Sequence, residues 1–151
     1  MATAEAGDEE MRRRIEKHKQ SRPDHWRTLE TPCNVGAAIS QGIGKASLVI
    51  VDCITLLVNN VLCQDIDWEK GEFDAGVIEK QVIAEVDALV AAMRDSKAGF
   101  IIVTNEVGQG IIPGNAMARL YRDLLGKANQ MLAAYADGVY LMISGLALKL
   151  K

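Results

Sequence analysis

Three features of the sequence predict an open α/β fold. Two continuous apolar runs, SLVIVDCIT at 47–55 and GFIIVTNEVG at 99–108, each close on polar residues. A helical pattern lies between them, and a second helical pattern leads to a third apolar run, GVYLMISG at 138–145. Continuous apolar runs suit strands covered on both faces, hence a parallel sheet. Strand, helix, strand, helix, strand is the order of such a sheet with flanking helices. Ligands then bind beyond the carboxyl ends of the strands.

The elements follow in order. Residues 8–19 read as a helix: Asp8 can cap it, acids lead, bases trail, and Pro23 ends it. Residues 31–46, rich in Gly, Ser, Ala and Asn, predict a loop with a short helix at most. The run 47–55 is the first strand. Over 75–94, Val77, Ile78, Val82, Val86, Leu89, Val90 and Met93 recur at helical spacing, which describes an amphipathic helix. The run 99–108 is the second strand. Residues 116–136 repeat the helical pattern with Met117, Leu120, Tyr121, Leu124, Met131, Leu132 and Tyr135. The run 138–145 is a third strand, and LALKLK at the end a short last one. No repeat, low-complexity tract or long linker divides the 151 residues, which suit a single domain.

Charge and cysteine usage narrow the function classes. A net charge of −3 gives no global attraction to nucleic acid or anionic membrane, so any basic site is local. The bases at 12–22 have no interleaved aromatic platform, which argues against a nucleic-acid partner. No apolar run is long enough for a membrane span, and MATAEAGDEE lacks the basic-then-apolar order of a secretory signal. Cys33, Cys53 and Cys63 are odd in number and lack paired zinc spacing, so reduced, mostly buried thiols of a cytoplasmic protein are expected.

The predicted strand ends carry Asp52, Thr55, Thr104, Asn105, Glu106 and Ser144. Asp52 follows four apolar residues, as an acid does when it holds magnesium for a nucleotide; a helix cap or turn residue is the other reading. In TNEVGQGIIPGN, polar residues at a strand end precede three glycines and a proline. That loop either brings backbone amides to a ligand or simply connects two elements. The only two histidines, His18 and His25, lie in RIEKHKQSRPDHW. Arg14 and His18 share a helix face, and Lys17, Lys19 and Arg22 add to the local positive charge. Cations beside an imidazole disfavour its protonated form, leave the nucleophilic neutral ring, and would hold a polyphosphate against it. A solvated basic helix with an incidental histidine is the alternative. His25, beside Trp26, is assigned a structural role.

Two strings, H-K-x-x-R-P-x-x-W-x-T-x-E from His18 and T-N-E-V-G-x-G-I-x-P from Thr104, carry a specific resemblance. With ATAEAGDEEMRRRIEKHKQSRPDHWRTLE, VDCITLLVNN and the stretch from Thr104 to Lys151, they cover most of the chain. The sequence resembles the bifunctional adenosylcobinamide kinase / adenosylcobinamide-phosphate guanylyltransferase family of cobalamin biosynthesis. The resemblance implies a P-loop NTPase fold of RecA-like type, with a mostly parallel sheet and flanking helices, assembled as a homo-trimer. It implies that adenosylcobinamide is phosphorylated with ATP or GTP, and that GMP then passes from GTP through a histidine to adenosylcobinamide phosphate. The guanylylated histidine matches His18. Nucleotide contacts match Ala2, Thr3, Ala4, Lys19, Gln20, Ser21, Arg22, Glu30 and Asp52. Asp52, where many members have Glu, is the candidate Mg2+ ligand. Asn105 and Glu106 are candidate active-site residues on the 104–115 loop.

The departure is at the phosphate loop. The family carries G-G-x-R-S-G-K-S ahead of the ATA segment, and no G-x-x-x-x-G-K-[ST] string occurs in residues 1–151. GIGKAS at 42–47 lacks the first glycine at that spacing. The expectation is an N-terminally truncated nucleotide-binding domain over residues 1–151, without the first strand, its loop and helix, and with impaired activity. A non-catalytic corrinoid- or nucleotide-binding subunit is the alternative.

Overall fold

The computed structural model describes residues 1–64, 66 and 72–151, and no helix among them is long and apolar enough to cross a membrane. They form α1 (Glu9–Gln20), α2 (Val35–Gly42), β1 (Leu48–Asp52), α3 (Ile54–Gln64) and α4 (Ala75–Asp95). Then come β2 (Gly99–Val103), α5 (Ala116–Tyr135), β3 (Tyr140–Ile143) and β4 (Leu146–Lys149). The expected α/β arrangement with parallel strands and flanking helices is present.

β1 and β2 pair in parallel, from Leu48 opposite Gly99 to Asp52 opposite Val103. A stretch with no strand pattern widens this sheet, because Ala2 bridges in parallel to both Glu30 and Asp52. The Ala2 N–H donates to the Leu29 carbonyl at 2.8 Å, and the Thr31 N–H to Ala2 at 2.9 Å. On the other side the Thr3 N–H donates to Asp52, and the Asp52 N–H to Met1, each at 3.0 Å. Residues 29–31, 1–3, β1 and β2 therefore lie side by side in that order. Three residues are too few for periodicity to mark a strand; the free edge of β1 selects them.

One face of the sheet is packed. Val49 and Val51, two apart on β1, enter a core with Ile39 of α2, Leu57 of α3, Leu89 of α4 and Leu125 of α5. Each such side chain contributes about 1.5–3 kcal/mol on burial. Along α4 the buried positions are Ile78, Val82, Val86, Leu89 and Ala92, the inward stripe the sequence predicts. Val77, counted with that stripe, instead lies on its solvent side, 43% exposed.

α3 departs from the sequence reading, which gave no helix to residues 54–64. Its buried positions Ile54, Leu57, Val58, Val61 and Leu62 do carry helical spacing. That spacing is masked because the apolar run passes from β1 into α3 with only Cys53 between them.

α2 packs on α4 at close range. A Cβ on Gly36 would lie 2.4 Å from the Ala88 carbonyl oxygen, so only glycine allows the approach. α4 also supplies the missing cap of α2: the Glu85 carboxylate accepts from the Asn34 N–H at 3.0 Å and the Val35 N–H at 2.7 Å.

The third apolar run forms a strand, but not in the parallel sheet. Among the described residues β3 pairs antiparallel with β4, from Tyr140 opposite Lys149 to Ile143 opposite Leu146. Ser144 and Gly145 both have positive φ, 51° and 80°, and so make the two-residue turn that reverses the chain. A connection this short permits only antiparallel pairing. Ser144 is thus a turn residue and does not join the strand-end cluster. Lys151 Nζ donates to the carbonyls of Ala133, Ala134 and Ala136 and closes the carboxyl end of α5.

The three cysteines are unpaired, as expected, but half-buried instead of buried. Burial, and then the negative charge of Glu85 and Glu5, raises the Cys33 thiol pKa against the opposing hydrogen bond from Gln64. Burial raises that of Cys63.

Candidate functional site

The carboxyl ends of residues 1–3 and β1 meet at Asp52. Thr3 is fully buried there: its hydroxyl donates to the Cys53 carbonyl at 2.7 Å and accepts from the Cys53 N–H at 2.8 Å. The Asn60 side chain of α3 donates to the carbonyls of Thr3 at 2.8 Å and Pro32 at 3.0 Å. Every Thr3 bond is spent on the chain itself, so Thr3 fixes the geometry around Asp52. Asp52 is exposed at the strand end, and Ala4 is half-buried beyond Thr3.

α1 approaches this end from solvent. Asp8 caps it as expected, with its side chain accepting from the Met11 N–H at 2.7 Å. Glu9 pairs with Arg12 and Arg13, and no residue of the helix is buried. His18 lies in the exposed last turn with Lys17 and Lys19. Lys19 pairs with Glu30 at 2.6 Å, which ties the end of α1 to the strand beside Ala2. The pair is about half exposed and contributes at most ~1 kcal/mol. Gln20 and Ser21 are turned toward their own helix, Gln20 to Glu16 and Ser21 to the His18 carbonyl.

Arg22 donates to the Thr28 hydroxyl at 2.9 Å. With Ala2 and Asp52 it lines a groove of about 560 Å³ on the less covered face of β1. His25, Trp26, Arg27 and Lys45 share that groove, so Asp52 borders the same groove as three fixed cations, Arg22, Arg27 and Lys45. His25, assigned a structural role from sequence, is exposed, and its neighbour Trp26 is 48% exposed. Their signal was the basic context of the string, which drew attention to His18 alone. His18 does not line the groove.

Asn105 and Glu106 follow β2, the neighbour of β1. The Asn105 N–H donates to the Thr55 hydroxyl of α3 at 2.9 Å, which links the loop to the element that begins just after Asp52. The Glu106 carboxylate accepts from the Gly108 N–H at 2.6 Å. Asn129 of α5 reaches the same loop: Thr104 donates to its Oδ1 at 2.7 Å, and its Nδ2 donates to the Asn105 carbonyl at 3.0 Å. Nothing in the local sequence points to Asn129. It comes to the site only through the packing of α5.

Ala4, Gln20, Ser21 and His18 stay outside the bonded cluster and the groove, and the other predicted positions fall into two groups, one around the end of β1 and one after β2. Ala2, Thr3, Lys19, Arg22, Glu30 and Asp52 form one, and Asn105 and Glu106 the other. Among the described residues no group of three or more His, Cys, Asp or Glu side chains could hold a metal ion. A lone carboxylate such as Asp52 suits magnesium carried in on a polyphosphate, which needs only one or two protein carboxylates. It does not suit a resident metal cage.

The chain matches the family described as cobinamide kinase / cobinamide phosphate guanyltransferase over residues 1–150. It is 40% identical over 152 residues to the bifunctional adenosylcobalamin biosynthesis protein CobU of Escherichia coli K12, covering 100% of this chain and 84% of that protein. Against the protein of the same name from Salmonella typhimurium the identity is 38%, with the same coverage. Against the bifunctional adenosylcobalamin biosynthesis protein CobP of Pseudomonas aeruginosa it is 35%, covering 80% of that protein. With the family matched from end to end and these identities spanning the whole chain, the protein belongs to the cobinamide kinase / cobinamide phosphate guanyltransferase family.

Proposed function

We propose that this chain acts on cobinamides: it phosphorylates adenosylcobinamide with ATP or GTP, then transfers GMP from GTP through guanylyl-His18 to adenosylcobinamide phosphate. The observation that carries this reading is the linkage of Lys19, Glu30, Ala2 and Asp52 at one end of the parallel strands, with Arg22 lining the groove that Asp52 borders and His18 on the adjoining helix end.

In the second reaction the unprotonated imidazole nitrogen of His18 attacks the α-phosphorus of GTP. A P–N bond forms, the P–O bond to the β-phosphate breaks, and pyrophosphate leaves with the electron pair. An oxygen of adenosylcobinamide phosphate then attacks the same phosphorus. A P–O bond forms, the P–N bond breaks, and His18 is restored. Lys17, Lys19 and Arg22 offset the charge on the transferring group, and Asp52 would hold magnesium borne by the nucleotide. The RecA-like P-loop architecture, a trimer of identical chains and a cytoplasmic location belong to the same reading.

Incubation with α-labelled GTP and Mg2+ tests it. The wild-type protein is expected to acquire an acid-labile GMP adduct that His18→Ala abolishes. Label that persists in His18→Ala would move the nucleophile elsewhere. Corrinoid binding with no adduct in the wild type would select the alternative, a subunit that binds without turnover.

A further inference from the structure

Residues 104–106 leave β2 as an exposed segment that leads into the turn at 108–109, yet both backbone polar groups of Asn105 are engaged by side chains from two helices. Thr55, in the first turn of α3, accepts from the Asn105 N–H at 2.9 Å. Asn129 on α5 uses both ends of its carboxamide, Oδ1 accepting from the Thr104 hydroxyl and Nδ2 donating to the Asn105 carbonyl. Behind Thr55, the Tyr121 hydroxyl donates to its carbonyl at 3.2 Å. Burial, and then the neighbouring Cys53, raises the phenol pKa above its ordinary value of 10.0, so Tyr121 remains a donor at neutral pH.

The anchors stand on helices packed into the core, whereas residues 104–106 are exposed. Asn129 follows buried Ala128, and Thr55 follows buried Ile54. Neither polar group fills core volume; each reaches outward to the same residue. The clamp consumes none of the carboxamide atoms of Asn105, and it lies one strand from Asp52, which stands opposite Val103 in the parallel pair.

We propose that Asn129 and Thr55 are positioning residues for phosphoryl or guanylyl transfer. They hold the segment so that Asn105 and Glu106 meet the substrate phosphates beside Asp52. The inference rests on the functional reading above. Its physical basis is preorganisation: reacting groups must be held within a fraction of an ångström, and an exposed segment cannot supply that by itself.

The test compares Asn129→Ala, Thr55→Val and Thr55→Ser in both transfer reactions, using the full chain. Asn129→Ala and Thr55→Val are expected to lower kcat about tenfold or more in at least one reaction, with KM for the nucleotide within about twofold. Thr55→Ser keeps the hydroxyl acceptor and is expected to restore the rate. Combining Asn129→Ala with Glu106→Gln is expected to cost no more than the larger single loss, because Asn129 acts through the segment. Unchanged kcat in both reactions, or additive losses, would overturn the inference, as would a valine variant no worse than the serine one. A wild-type protein that forms no GMP adduct sinks the reading underneath. A wild-type protein that forms it while the variants keep its rate in both reactions sinks the inference alone.

Discussion

The helix-covered side of β1 and the open end where α1 arrives are built on different physics. On the covered side, α2, α3, α4 and α5 bury apolar stripes against Val49 and Val51, and the packing tolerates no added Cβ at Gly36. α1 buries nothing and is held by a cap, ion pairs and the Lys19–Glu30 link. Stability resides in the first region, while the second places exposed polar groups where a charged substrate can reach them. A residue can therefore matter greatly to one property and hardly at all to the other.

The largest stability effect is expected in the covered region. Leu89 is fully buried among the helices, so Leu89→Ala removes its transfer energy and leaves a cavity, costing about 2–5 kcal/mol. Urea unfolding measures the loss; a change below 1 kcal/mol would mean that α4 is not the core element described here. Gly36→Ala comes next. Its new methyl must displace the Ala88 backbone, and about 1–3 kcal/mol of destabilisation is expected. If calorimetry found Gly36→Ala as stable as the wild type, the close approach of α2 and α4 would be wrong. The smallest effect belongs to the open region. Asp8→Ala removes the α1 cap and is expected to cost about 1 kcal/mol locally. Faster amide exchange at the start of α1 with an unchanged melting temperature would sharpen the comparison. A fall in the global melting temperature as large as that of Gly36→Ala would break it.

Parts of this design are legible in the sequence because they are local. Asp8, the acids after it and the bases at its end specify α1 without reference to any neighbour. The periodic apolar residues of α4 and α5 predict both helices to within two residues. α3 escaped because its apolar face resumes two residues after the apolar strand before it, so Asp52 alone marked the change of period. The destination of β3 escaped because an apolar run reports burial or exposure to a partner, not which partner. The Ser144–Gly145 turn decided that.

The candidate site divides in the same way. His18, Lys19, Arg22, Asp52, Asn105 and Glu106 stand out through residue type and short motifs, which are properties of contiguous chain. Asn129, Thr55 in its role as acceptor, and Asn60 behind Thr3 do not, because each matters only through a bond to a residue 24 to 57 positions away. By itself, then, the sequence determined α1, α4 and α5, the apolar strands, the family and the reactive residue types, since propensity, period and motif act over a few neighbouring positions. Only the tertiary structure decided that residues 1–3 pair with β1, that Glu85 caps α2 and that Asn129 clamps Asn105. Hydrogen bonds between distant residues exist only once packing has brought their elements within 3 Å.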